Sequence, residues 1–233
     1  SLDISQKSII NRSDRKLPLI LTKSEIRKIF QHLNGVYLLI CRLLYGSGLT
    51  ISECLQLRVQ DINFEKKSIS VRSANCSKDR ETVLSFAVVD ELTEHFAYIK
   101  KLFDKDCRDE LLHTTKANST DKSSFDVDKA WSGYWLFPAD NLTVEPKTNI
   151  TRRNHIYQNT VQKQFKSALD RSSIKKQVSL QTLRHSFAVH IVNAGYDIKA
   201  LKQLLGHSTI KSTMIYTRLT EINILNIISP IDS

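Results

Sequence analysis

Between Val36 and Tyr45 every residue except Arg42 is apolar, and Gly46 and Gly48 close the run. Ten residues of this kind predict a helix buried around most of its circumference, which obliges the rest of the chain to pack about it. Glycine just past the last apolar residue is a helix stop, because it enters the left-handed region without a Cβ clash. A capping box stands on each side of the run. Thr22-Lys-Ser-Glu25 opens a helix to about Leu33, and Thr50-Ile-Ser-Glu53 opens a short one carrying Leu55 and Leu57. Leu17 to Leu21, interrupted by Pro18, is the apolar entry; residues 1–16 are polar and unpatterned and read as a flexible segment ahead of a domain spanning 17–233.

Asp61 to Phe64, Ser68 to Arg72 and Thr82 to Phe86 alternate or are rich in β-branched residues, with turn-like Glu65-Lys66-Lys67 and Ser73 to Arg80 between them. They predict a small three-stranded antiparallel sheet. A helical period resumes from Val88 to about Phe103, with Leu92, Phe96 and Ile99 on one face. The polar stretch at about 104–133 reads as an insertion, and Tyr134-Trp-Leu-Phe-Pro138 as a compact aromatic anchor before another loop. After His155 the pattern is helical: Val161 to Ala168, Leu183 to Val192, Ile198 to Leu205 and Ile210 to Leu219, then a largely apolar tail at about 220–233. The expected class is α+β, mostly helical, without internal repeats.

The 233 residues are 41% apolar and 25% charged, the mix of a globular domain, and no apolar stretch approaches the ~20 residues that span a bilayer. No membrane partner is expected. Cys41, Cys54, Cys76 and Cys107 are scattered without metal-ligand spacing, so neither a zinc site nor a disulfide framework is expected, and a reducing, cytoplasmic setting fits. The chain opens with Ser1, its one methionine is Met214, and no charged-then-apolar signal segment leads it. The expectation is part of a longer product that is not secreted. Of the net charge of +10, residues 1–150 carry little, with 22 basic against 20 acidic side chains; residues 151–233 hold 12 against 4. Such a concentrated basic surface gains affinity for a polyanion by counterion release, which makes DNA the first partner to consider; a solvated basic face is the alternative.

Three segments stand out together: Tyr45-Gly-Ser-Gly-Leu-Thr-Ile-Ser-Glu-Cys-Leu55, Gln181-Thr-Leu-Arg-His-Ser-Phe-Ala188, and Leu204-Leu-Gly-His-Ser208 followed by Thr213-Met-Ile-Tyr-Thr217. In order and spacing they resemble the catalytic domain of the tyrosine recombinase (phage integrase) family, from about residue 17 to the C-terminus. Arg152-Arg-Asn-His155, the 134–138 anchor, the insertion before it and Ile228-Ser-Pro-Ile-Asp232 look like the integron integrases within it. The resemblance implies that fold, site-specific recombination through a 3′-phosphotyrosyl intermediate, and no cofactor. It also implies roles: Tyr216 as nucleophile, Arg184 as a phosphate clamp, and His207, nine residues before Tyr216, as a phosphate and proton-handling partner.

Three positions depart from the family's pattern. Thr50 stands where an arginine follows Gly-Leu, Asn75 where a turn lysine serves as acid, and Gln181 where a histidine or lysine precedes the second arginine by three residues. Each substitute suits its local structure, a helix N-cap, a turn and a hydrogen-bonding side chain, while removing a cation or an acid. Losing one such donor slows a reaction by roughly 10² to 10³. Impaired catalysis is therefore expected, with a catalytically inactive DNA-binding homologue as the alternative. Lys78, Arg80 and Arg42 are the neighbouring cations, Lys78 being the candidate for the leaving oxygen.

The basic excess offers Arg152, Arg153, Lys163, Lys166, Lys202 and Lys211 as DNA-backbone contacts, with Arg171, Lys175, Lys176 and Lys199 around them. The insertion at about 104–133 is similar in placement to the extra helix of the integron integrases, and that resemblance implies recognition of extrahelical bases in a folded single-stranded site, with Trp131 and Tyr134 as candidates for stacking on such a base and Trp135 and Phe137 for core packing. The family's N-terminal DNA-clamping domain has no counterpart in these residues, and the family's tails suggest that 220–233 docks on a neighbouring protomer in a homo-oligomer on DNA.

Overall fold

The computed structural model of the chain describes residues 17–72, 79–109, 111, 127–144 and 151–224. The expectations for residues 1–16, Asn75, Cys76, Lys78 and the tail beyond 224 fall outside these.

The predicted capping boxes form. Thr22 Oγ1 accepts the Glu25 N–H, the Glu25 carboxylate accepts the Thr22 N–H, and α1 runs Lys23–Phe30. The apolar run is α2, Gly35–Ser47, ended by Gly48 in the left-handed region at φ +65°. Thr50 and Glu53 cap α3, Ile51–Leu55, in the same reciprocal way. Leu39, Ile40, Cys41, Leu43 and Leu44 are buried, so α2 is the axis of the main core.

Strands β1 (Ile62–Asn63), β2 (Ser68–Val71) and β3 (Arg80–Val83) form the expected antiparallel sheet in the order β1-β2-β3. Ile69 faces Ile62 on one side and Thr82 on the other. The third strand begins two residues earlier than the pattern suggested, and Phe86, three-quarters exposed, lies in a 3-10 turn beyond it.

Two local expectations fail for a common reason, the helix end at about Phe103 and the loop after Pro138. Helix α4 spans Val89–Arg108, continuing past Phe103, and α5, Val127–Ser132, lies within the stretch read as an insertion. The loop expected after Pro138 is instead a hairpin of β4 (Pro138–Val144) and β5 (Thr151–His155). The two elements bury charge where a pattern search looks for an apolar residue. Arg153, buried on β5, donates from Nε and Nη2 to the two oxygens of Asp106, which is fully buried on α4, at 2.7 and 2.8 Å. Tyr134 donates to the same carboxylate at 2.6 Å.

The last third is helical, as expected: α6 (Gln158–Arg171), α7 (Leu180–Asn193), α8 (Ile198–Leu205) and α9 (Met214–Ile224). Helix α7 packs along α2 and carries α9 on another side. Phe187, Ala188 and Val189 of α7 build a second core cluster with Leu201 and Leu205 of α8 and Tyr216 of α9. Ser186 ties this end to the chain entry by accepting the Leu21 N–H at 3.0 Å. The described cysteines Cys41, Cys54 and Cys107 are unbridged, and no helix among the described residues is long and apolar enough to cross a membrane.

Candidate active site

Two glycine-ended helices converge on Arg184. Helix α2 stops at Gly48 and α8 at Gly206, φ +67°. A Cβ at Gly48 would meet the Phe187 ring at 2.5 Å, and one at Gly206 would meet Arg80 Cδ at 2.8 Å, so both turns close directly onto their neighbours. Arg184, buried on α7, donates from Nη1 to the Gly48 carbonyl at 2.7 Å and from Nη2 to the Leu205 carbonyl at 2.6 Å. Its third partner is Glu53 Oε2, at 3.2 Å.

Glu53 does more than cap α3. Its Oε2 accepts the Thr50 N–H at 2.8 Å and Arg184, while Oε1 accepts Arg80 Nη1 at 2.6 Å. Burial favours the neutral acid, yet the hydrogen bonds from Arg80 and Thr50 and the charges of Arg80 and Arg184 hold the carboxyl below its ordinary pKa. Arg80 enters from β3 and donates from Nε to the Leu204 carbonyl at 2.9 Å.

His207 follows Gly206, its N–H closing the α8 terminus on the Lys202 carbonyl at 3.1 Å. Its Nδ1 lies 2.9 Å from Thr213 Oγ1, which leaves Nε2 for another partner. The ring lies nearly parallel to that of Tyr216, centroids 6.3 Å apart. Burial first, then the charges of Arg184 and Arg80, push the imidazole down to about 4. The Tyr216 hydroxyl is 2.9 Å from His185 Nδ1. Burial raises the phenol pKa against the opposing pull of Arg184, and burial followed by the Arg184 charge lowers that of His185. A protonated phenol therefore faces a neutral imidazole beside a guanidinium, an arrangement suited to making a tyrosine oxygen nucleophilic near an anion.

Tyr216, Arg184 and His207 are thus brought together, with Thr50 at the edge through Glu53. Gln181 is not: it is exposed, one turn before Arg184, and lines a groove of about 700 Å³ with Ile51, Lys166 and Lys175. Arg42 pairs with Glu91 instead of turning to the site. Sequence reasoning missed His185 altogether, saw Glu53 only as a cap, and named Arg80 only as a neighbouring cation. The sequence signals were an acidic residue two positions beyond Ile51, an arginine opening a strand and a histidine next to Arg184, each commonplace alone.

Among the expected DNA contacts, Lys163, Lys166 and Lys211 are exposed and Arg152 and Lys202 half-buried. Arg153 is a correction: its guanidinium is spent on Asp106 and on the carbonyls of Ala139 and Asp140, all inside the protein. Arg171 and Lys176 are also engaged, Arg171 with the His32 carbonyl and Lys176 with Glu25. The aromatic assignments reverse in part. Tyr134 is core, and Trp131 packs between it and Phe103. Trp135 stays half-exposed, with the Arg58 guanidinium 3.1 Å over its ring and His155 edge-on, beside a groove of about 300 Å³ that also reaches Glu53. Phe137 is core, as expected.

Residues 20–222 match the family described as the phage integrase family. An integrase/recombinase of Escherichia coli is 35% identical over 222 residues, covering 95% of this chain and 66% of that protein. The tyrosine recombinase XerA of Pyrococcus horikoshii is 31% identical over 88% of this chain and 59% of its own length. The chain therefore spans about two thirds or less of the length of these relatives. In solved structures the fold recurs in XerA recombinase, with a TM-score of 0.59 at 20% identity over 90% of this chain and 65% of that one. It recurs also in the XerH site-specific recombinase bound to palindromic difH substrate in a post-cleavage complex, with a TM-score of 0.61 at 20% identity over 93% of this chain and 56% of that one.

Proposed function

The chain belongs to the phage integrase family, and from that premise we propose that it is the strand-cleaving domain of a site-specific tyrosine recombinase whose nucleophile is Tyr216. The observation that carries the reading is the Tyr216 hydroxyl set 2.9 Å from a neutral His185, in a cluster that holds Arg184 and His207.

In the proposed step Tyr216 Oη attacks the phosphorus of a DNA phosphodiester. A bond forms from phosphorus to the tyrosine oxygen, the bond to the 5′ oxygen breaks, the phenolic proton passes to His185 Nδ1, and the departing oxygen takes up a proton from solvent or a nearby acid. Attack by the 5′-hydroxyl of a second strand reverses the chemistry and rejoins DNA. Arg184 holds the phosphoryl oxygens, and His207 presents Nε2 to one of them because its Nδ1 is committed to Thr213. Cleavage by this set is slow, since position 50 offers a hydroxyl and Gln181 lies in the groove outside.

DNA is the proposed partner, held by Lys163, Lys166, Lys202, Lys211 and Arg152 through its backbone. The integron-integrase likeness of residues 134–138 and 152–155 supports a folded single-stranded site as substrate, and Trp135, rather than Tyr134, has an accessible ring for a base. Incubation with a nicked attachment-site DNA tests the reading: a covalent protein–DNA adduct that Tyr216→Phe abolishes is expected. Salt-sensitive binding with no adduct would leave the second reading, a DNA-binding homologue without catalysis, which the Thr50 and Gln181 substitutions favour.

A further inference from the structure

Arg80 brings more donor capacity into the site than the fold uses. Its Nε is spent on the Leu204 carbonyl and its Nη1 on Glu53, while Nη2 is buried and makes no hydrogen bond. An unsatisfied buried donor is uncommon, and on a guanidinium it is costly unless an acceptor arrives. The placement is built in. Arg80 lies against Gly206, where a Cβ would come within 3.0 Å of three of its side-chain atoms, and Gly206 immediately precedes His207. Its charge acts on both His207 and Arg184, and its side chain keeps 12% of its surface accessible.

We propose that Arg80 is a catalytic residue that supplies the second guanidinium of the phosphate site in place of the arginine absent at position 50, with Nη2 as its donor to a phosphoryl oxygen. The inference rests on the recombinase reading. Arg42, on the helix that precedes Thr50, is paired with Glu91. Charge balance supports the assignment. Arg80 and Arg184 share one carboxylate, Glu53, which leaves one net positive charge for the single negative charge of a phosphodiester. Additional charge developing on the phosphoryl oxygens during attack is then met by two guanidiniums that backbone carbonyls hold in place.

A double-mutant cycle separates this role from a structural one. With Thr50 in place, Arg80→Gln should slow formation of the Tyr216–DNA adduct by about 10² to 10³. With Thr50→Arg, the same change should cost less than about tenfold, since the restored arginine takes over the clamp. An equal loss in both backgrounds would overturn the proposal and leave Arg80 as a brace for Glu53. A second measurement needs no cleavage: inorganic phosphate titrated against the His207 ring resonances should bind the wild-type chain and bind Arg80→Gln at least about tenfold more weakly. Equal phosphate binding by both would overturn the assignment. If the wild-type chain forms no adduct at all, the recombinase reading fails while the phosphate titration still decides the fate of Arg80. Should Arg80→Gln fail to fold, Arg80→Lys carries both comparisons, with a smaller loss expected because it keeps the charge and gives up the fork.

Discussion

The hydroxyl of Tyr216 rests 2.9 Å from Nδ1 of His185, inside a cluster that leaves the tyrosine 2% exposed. Burial sets both partners: it keeps the phenol protonated and, with Arg184, keeps the imidazole neutral, so the proton lies on the oxygen and the acceptor is ready. His185 is lowered from 6.5, so adduct formation should be flat with pH above about 6.5 and fall on the acid side as the imidazole fills. His185→Ala should slow the reaction by about 10² and remove that acid limb. Single-turnover rates across pH 4–8 check both; an unchanged profile in the variant would remove His185 from the proton path.

The histidines also make stability depend on pH. His95, His185, His190 and His207 are all shifted down, each first by burial, and His207 to about 4. In the unfolded chain a histidine with a lowered folded pKa binds more protons between the two values, so its stabilising contribution is full above 6.5 and is lost as pH falls through the folded value, about 4 for His207. Glu53, also lowered, adds to the loss below its ordinary value. Thermal midpoints should therefore decline from pH 7 to pH 4, and His207→Gln should flatten part of the decline; a midpoint constant over that range would contradict these environments.

Glu53 links chemistry to fold. Removing its charge by Glu53→Gln weakens both arginine contacts and should cost about 2 to 3 kcal/mol. Adduct formation should fall by more than that loss of folded protein explains, because Arg80 and Arg184 lose their common anchor. Denaturant unfolding alongside the adduct assay on the folded fraction distinguishes the two effects.

The buried pair of Arg153 and Asp106 predicts a contrast with the surface lysines. Arg153→Ala leaves a carboxylate unpaired in the interior and should destabilise by about 3 to 5 kcal/mol, with the salt dependence of DNA binding by the folded protein unchanged. Lys163→Ala with Lys166→Ala should do the opposite, leaving stability nearly intact and reducing the salt slope by about 0.9 for each phosphate that is no longer neutralised. Binding isotherms at several salt concentrations, with melting curves, test both halves.

The same pair explains where the sequence was hard to read. Capping boxes, glycine stops and the apolar run of α2 are local signals, and the structure follows them. Helix α4 ran past Phe103 and the β4–β5 hairpin went unseen because the inward positions there are Asp106 and Arg153, whose burial only makes sense once they meet across 47 residues of chain. The site divides in the same way. Tyr216, Arg184 and His207 stand in recognisable segments, and the structure gathers them. Glu53 hid behind its capping role, and Arg80 and His185 acquire meaning only when β3, α7 and α8 converge.

Everything proposed for the site turns on Tyr216 forming the covalent bond to DNA. The most direct measurement is to trap the chain on a nicked suicide substrate, digest the protein, and identify by mass spectrometry the peptide that carries the nucleotide. A phosphotyrosyl link is expected on the peptide containing Met214, Ile215 and Tyr216, absent in Tyr216→Phe. A link at any other residue, or an adduct that persists in the variant, would contradict that assignment.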